Sequence, residues 1–186
     1  MNVYDFDETI YVNDSTVDLM KHIFTHYPKC YLCIPGIITG FIGWKVFGKS
    51  KESFKEKVFK VFTYIDNPEG LIDQFTDDPL HLIKGWYKDQ QKPDDVIISA
   101  SPYFLIESFC KKLGIQYVMA SPVDLKTGKY QGINCHGKEK VRRYREVFGE
   151  AVIDEFYSDS YSDTPLAEIA QKAYMVKGDR RDPWGA

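Results

Sequence analysis

From residue 92 onward, short apolar runs alternate with amphipathic helical patterns, and this rhythm limits the possible folds more than any other feature of the chain. "VIIS" (96–99) is short, apolar and β-branched, as a strand buried on both faces must be. The next segment places Ile106, Phe109, Cys110 and Leu113 at helical spacing, with Ser101 as the expected N-cap, Pro102 at the first helical position and Gly114 past the end. "IQYVMAS" (115–121) reads as another strand, and "VDLKTGKYQGI" (123–133) as a hairpin turning at Thr127-Gly128. A helix is predicted over about 138–148, with Val141, Tyr144 and Phe148 on one face and Gly149 as its stop. "VIDEFYSDS" (152–160) is a strand running into a loop. Asp163 or Thr164 then caps a helix carrying Leu166, Ile169, Ala170 and Ala173 inward, and "AYMVKG" (173–178) is the last expected strand. Alternation of this kind implies right-handed crossovers and a Rossmann-like α/β architecture, a mostly parallel sheet flanked by helices.

The first strand stands apart. "NVY" runs directly into "DFDETI", and the next strand begins only near residue 96. Residues 15–91 read as all-helical: "SFKEKVFKVFTYI" sets Phe54, Val58, Val61, Phe62 and Ile65 on one stripe and Lys55, Lys57 and Lys60 on the solvent side. Residues 1–14 and 92–186 therefore form the predicted α/β core, and 15–91 a helical insert. Open α/β sheets bind ligands at the carboxyl ends of their strands, so an insert leaving that edge is placed to act as a cap.

Composition narrows the function classes. A net charge of -3 argues against a nucleic-acid partner. No charged, then apolar, leader opens the chain, and the four cysteines (Cys30, Cys33, Cys110, Cys135) lack metal-finger spacing. Reduced thiols in a cytoplasmic protein are expected. The segment 30–47 is apolar at 12 of 18 positions, with Gly36 and Gly40 forming a GxxxG, but Pro35, three glycines and Lys45 break it. A membrane span is not expected from it. It packs within its own helices or meets a lipid or another hydrophobic phosphomonoester at the surface. The oligomeric state is not legible.

Polar clusters recur at the strand ends: Asp5 and Asp7, then Ser99-Ala100-Ser101, then Lys138 and Lys140, then Asp159 and Asp163. Taken singly, each has a plain explanation as a cap or a solvated residue. Together, several carboxylates on one edge would repel unless a cation lay among them. Few, hard oxygen ligands suit Mg2+, and a lysine beside a helix start adds positive field for a phosphate.

The motifs "DFDETI", "IISAS", "GKEK" and "SDSYSD", in that order, resemble the haloacid dehalogenase superfamily in the branch that includes phosphoserine phosphatase. The resemblance covers the core, while the insert is similar only in position and helicity. It implies an Mg2+-dependent phosphomonoester hydrolase with a helical cap. Asp5 matches the nucleophile that forms an aspartyl-phosphate, and Asp7 the general acid/base, with its backbone carbonyl toward the metal. Thr9 matches the loop-holding threonine, and Ser99 with the Ala100 amide the phosphoryl-binding pair, Ser101 being the second candidate. Lys140 is preferred over Lys138 as the active-site ammonium. Asp159 and Asp163 complete the implied metal set with Asp5 and Asp7.

Where the branch has glycines after the motif serine, this chain has Ala100-Ser101-Pro102, and residues 15–91 contain no arginine to clamp a substrate carboxylate. Asp14 either meets the substrate or caps the following helix. The expected substrate is a small phosphometabolite, phosphoserine-like or instead lipid-like. Two readings from other classes compete: a phosphoacceptor receiver domain, and a non-catalytic phosphate-binding module. A receiver would need an acid at the end of the third strand, where this chain reads "VMAS", and a silent module would be expected to have lost Asp5, Asp7 or the lysine.

Overall fold

The computed structural model describes residues 1–185. Six strands form one sheet: β1 (Val3–Tyr4), β2 (Val96–Pro102), β3 (Tyr117–Ser121), β4 (Ile153–Ser158), β5 (Ala170–Lys177) and β6 (Arg180–Pro183). Their order is β3-β2-β1-β4-β5-β6, parallel except for β6 against β5. The two-residue β1 sits at the centre, Tyr4 lying opposite both Ile97 of β2 and Tyr157 of β4. Strand order runs outward in both directions from β1, which makes its carboxyl end a topological switch point.

Because successive strand residues face opposite ways, Val3 and Tyr4 enter different cores. Val3 packs with Val96, Ile98, Phe156 and Leu166 on one face, beneath α7 (Lys138–Phe148) and α8 (Thr164–Ala167). Tyr4 faces the larger core, built with Phe6, Tyr11, Ile97 and α6 (Tyr103–Leu113). The segment between β1 and β2 is helical, comprising α1 (Ser15–His26), α2 (Ile34–Phe47), α3 (Lys51–Phe59), α4 (Pro68–Asp77) and α5 (Gly85–Gln90) joined by short 3-10 turns. α4 leans on α6 through Phe75 and Phe109, whose ring centroids are 6.2 Å apart. The buried Lys84 donates to the carbonyls of Glu8 (2.6 Å) and Gly178 (2.7 Å), tying the end of the helical segment to two loops of the sheet.

Four local expectations give way to tertiary structure. β2 continues through Pro102, so Ser101 lies in a strand and α6 starts at Tyr103 without a side-chain cap. The hairpin reduces to one bridge, Val123–Tyr130. Its Gly128 adopts φ +69°, and a Cβ there would come within 2.5 Å of the Phe59 backbone. The helix after Asp163 stops at Ala167, because Ala170 and Ala173 pair with Ile153 and Phe156 in the β4–β5 ladder. The long stripe over 53–65 breaks after Phe59 into a 3-10 turn, which still buries Val61 and Phe62.

Candidate active site

β1 ends where the acids begin. Asp5 is the last residue held by the sheet, its N–H donating to the Tyr157 carbonyl at 2.9 Å. The chain then turns sharply over Phe6–Ile10, with Glu8 in the left-handed region at φ 55°. In a straight strand, the spacing of Asp5 and Asp7 would aim both carboxylates the same way; the turn sends them apart. Asp5 Oδ1 accepts from Lys140 Nζ at 2.8 Å. Asp7 Oδ1 accepts from the Ser15 N–H at 2.7 Å, and Asp7 Oδ2 from the Ser101 hydroxyl at 2.6 Å and, more distantly, Ser99 at 3.4 Å.

Lys140 is supplied by the first turn of α7 and is buried. Its ammonium bridges Asp5 and Asp163, lying 2.5 Å from Asp163 Oδ2. Lys138, one turn-edge earlier, is exposed and does not reach these acids. Asp163 also accepts from the Ser158 hydroxyl at 2.8 Å, while its buried Oδ1 has no partner. Thr9 is fully buried, and its hydroxyl accepts the Asp159 N–H at 3.0 Å, so the turn after β1 holds the loop after β4.

A cavity of about 780 Å³ opens over this edge. Asp5, Asp7, Asp159, Asp163, Ala100, Ser101 and Lys140 form its floor, with Asp14 beside them. Asp14 does two jobs, since its carboxylate also accepts from the Val17 N–H at 2.9 Å and caps α1. Ser99 is fully buried behind Ser101, its hydroxyl accepting the Ser101 N–H at 3.0 Å. The roof comes from α1 and α3: Met20, Phe24, Phe54 and Val58 make it apolar, and Lys55 crosses it.

Lys55 is the residue that sequence reasoning missed. Helical spacing places it opposite the apolar stripe, where solvent is the expected neighbour, but that stripe faces the cavity only in part. Lys55 lines the cavity and its ammonium donates to the Ala100 carbonyl at 3.3 Å. Burial, and then the nearby Lys51, lower its basicity. No local signal separates it from Lys57, which stays exposed.

The electrostatics are those of an acid-rich pocket. Burial pushes the Asp5 carboxyl up to about 8 against the pull of the Lys140 charge, and the like charges of Asp163 and Asp7 add smaller upward pushes. Asp7 is raised by burial and then by Asp14, and Asp159 by burial and then by Glu8. Burial would strip the Lys140 proton, yet Asp5 and Asp163 overcome it and hold the ammonium charged. One ammonium cannot balance these carboxylates, so the site has room for a cation. Among the described residues, no three His, Cys, Asp or Glu side chains converge as a complete metal cage. Mg2+ does not need one: it takes one or two carboxylates and fills its shell with water and phosphate oxygens. The all-oxygen donor set and the unpartnered Asp163 Oδ1 fit such an ion.

Comparison with known proteins agrees with this geometry. At 27% identity the chain resembles protein CicA of Caulobacter vibrioides, the alignment spanning 93% of this chain and 84% of that protein. It is 33% identical to a probable phosphatase of Mycobacterium tuberculosis over 47% of this chain and 33% of that one. A Bordetella pertussis protein of unknown function shares the fold with a TM-score of 0.74 at 16% identity, over 94% of this chain and 88% of that one. A phosphoserine phosphohydrolase-like protein of Francisella tularensis does so with a TM-score of 0.56 at 18% identity, over 94% and 87%. The family model for haloacid dehalogenase-like hydrolases matches residues 3–168, and the chain belongs to that family.

Proposed function

We propose that this hydrolase is an Mg2+-dependent phosphatase of phosphomonoesters that works through an aspartyl-phosphate on Asp5. The observation that carries the reading is the Asp5–Lys140–Asp163 bridge on the cavity floor, with Asp7 separately held at its side. In the first half-reaction an Asp5 carboxylate oxygen attacks phosphorus as the ester oxygen departs, and Asp7 gives that oxygen its proton. In the second, Asp7 takes a proton from water, which attacks the phosphorus and returns Asp5 and inorganic phosphate. Lys140 favours the ionised form of Asp5 against the effect of burial and offsets charge on the phosphoryl oxygens. The Ala100 amide and the Ser101 hydroxyl, which line the cavity, would meet those oxygens; Ser101 also orients Asp7, and the buried Ser99 holds the Ser101 N–H from behind. Asp5, Asp159 and the Asp7 carbonyl would hold Mg2+, with Asp163 aligning its waters and Lys140. Bound there, Mg2+ supplies positive charge that offsets the transferring phosphoryl group.

The helices over residues 15–91 serve as a cap in this reading, closing the cavity from above. Lys55 replaces the missing arginine as the cationic contact to the substrate, with Asp14 on its other flank. A small phosphometabolite fits the polar floor. A hydrophobic phosphomonoester is the second reading, favoured by the apolar roof of Met20, Phe24, Phe54 and Val58. The four cysteines are free and buried, which supports a reducing, cytoplasmic setting. The decisive experiment is hydrolysis of an aryl phosphate with Mg2+ or EDTA, by wild type and Asp5→Asn. Turnover that needs Mg2+ and Asp5 is expected; metal-independent turnover, or an active Asp5→Asn variant, refutes the mechanism.

A further inference from the structure

We infer that the outer face of α2, with the turn before it, docks this protein on an anionic lipid bilayer. Half of the large apolar side chains left exposed among the described residues, eight of sixteen, lie between residues 31 and 47. Leu32, Ile38, Phe41, Ile42, Val46 and Phe47 are 42–74% exposed, and within α2 only Gly43 is buried. A contiguous apolar patch of this kind marks an interaction surface rather than ordinary surface scatter.

Charge names the occupant. From residue 19 to residue 51 there is no Asp or Glu, but there are five lysines: Lys21, Lys29, Lys45, Lys49 and Lys51. Lys21 pairs with Asp18, and the other four form no ion pair among the described residues. A chain of net charge -3 thus carries basic residues and no acid along the segment that holds its exposed apolar face. A second copy seated face to face would bring these lysines against their equivalents. Anionic headgroups around an acyl interior complement both the lysines and the apolar face. The Lys45 ammonium lies 3.9 Å from the Trp44 ring centroid, an aromatic–basic pairing suited to the headgroup depth.

The segment lies on the bilayer rather than across it. Pro28–Phe47 is helical over 20 residues, but α2 itself has only 14, roughly 21 Å against the roughly 30 Å of a hydrocarbon core. The turn before it is pinned to the protein, since Cys30 and Cys33 are buried and Cys30 Sγ donates to the Val61 carbonyl. The face also adjoins the cavity. Phe24 of its wall lies 5.7 Å from Tyr31 between ring centroids, and Phe54 lies 5.5 Å from Trp44 and 5.7 Å from Phe41.

Co-sedimentation of the full chain with vesicles tests this without reference to catalysis. Phosphatidylcholine vesicles containing a large fraction of phosphatidylglycerol should capture the protein at least ~10-fold better than phosphatidylcholine alone. The exposed double variant Val46→Glu/Phe47→Glu should lose ~10-fold or more of that binding, and Lys45→Glu/Lys49→Glu should lose the preference for anionic lipid. Both variants should keep the wild-type circular dichroism and the wild-type rate on a soluble aryl phosphate. No capture of the wild type, or equal capture of the variants, overturns the inference. So does a homodimer in sedimentation velocity that the same substitutions dissolve, which would assign the face to a second copy.

Discussion

Lys140 Nζ lies 2.8 Å from Asp5 Oδ1 although 135 residues separate them. Both groups are buried, so each favours the charged form of the other against the cost of burial. Lys140→Ala should reduce phosphatase turnover by at least about 100-fold, because the positioned charge that balances Asp5 and the phosphoryl group is lost. Lys138→Ala should leave the rate within about twofold, since its side chain is solvated. Steady-state kinetics on an aryl phosphate checks both, with thermal melts to separate lost chemistry from lost fold.

Thr9 acts on the site through the Asp159 N–H, at 3.0 Å from its hydroxyl. Thr9→Ala should lower kcat roughly 10-fold and raise the Mg2+ concentration needed for half-activity, because the loop after β4 loses one anchor. Thr9→Ser, which keeps the hydroxyl, should restore most of both. Loss of activity that serine does not rescue would assign Thr9 to packing alone.

Lys55 reaches into the cavity from above the floor rather than from among the reacting groups. Lys55→Ala should therefore raise KM about 10-fold for an anionic substrate while kcat changes little, the pattern of a lost binding contact. Lys57→Ala, one turn-edge away and exposed, serves as the control. A kcat loss as large as the KM increase would place Lys55 in the chemistry instead.

Asp95 should make stability fall as pH rises. Its side chain is fully buried, with Oδ2 accepting the Lys92 N–H at 2.8 Å and Oδ1 unpartnered, and burial pushes its carboxyl up to about 6. The folded state thus holds this proton more tightly than the unfolded chain. Its stabilising effect is complete below the ordinary carboxylate value near 4 and is lost as pH rises through about 6. Asp95→Asn should gain on the order of 1–2 kcal/mol at pH 7 and flatten that window. Urea titrations at pH 4 and pH 7 measure the difference.

Gly128 is required by its backbone and by its neighbour. At φ +69°, with a Cβ only 2.5 Å from Phe59 backbone atoms, alanine cannot enter without moving α3's end. Gly128→Ala should cost ~2 kcal/mol or more, read from chemical denaturation, and should disturb the roof of the cavity through Phe59.

The alternation after residue 92 was enough to determine a parallel α/β sheet, because strands buried on both faces and capped helices carry local signatures. α7 is an instance, its predicted span agreeing with Lys138–Phe148 and its Gly149 stop. The order of acids, serines and lysine along the chain placed the site at the strands' carboxyl edge for the same reason. What local pattern could not decide was set by partners distant in sequence. Ala170 and Ala173 fit a helix or a strand, and the β4 ladder made them strand. Ser101 fits a cap, and Asp7 in the turn after β1 drew its hydroxyl into the site. Lys140 and Lys138 are alike in sequence, and the rotation of α7 buried only Lys140. Lys55 looked solvated until α1 and the sheet edge closed a cavity around it. Such choices are small differences in local preference, outweighed by the burial and charge pairing that only a folded chain provides.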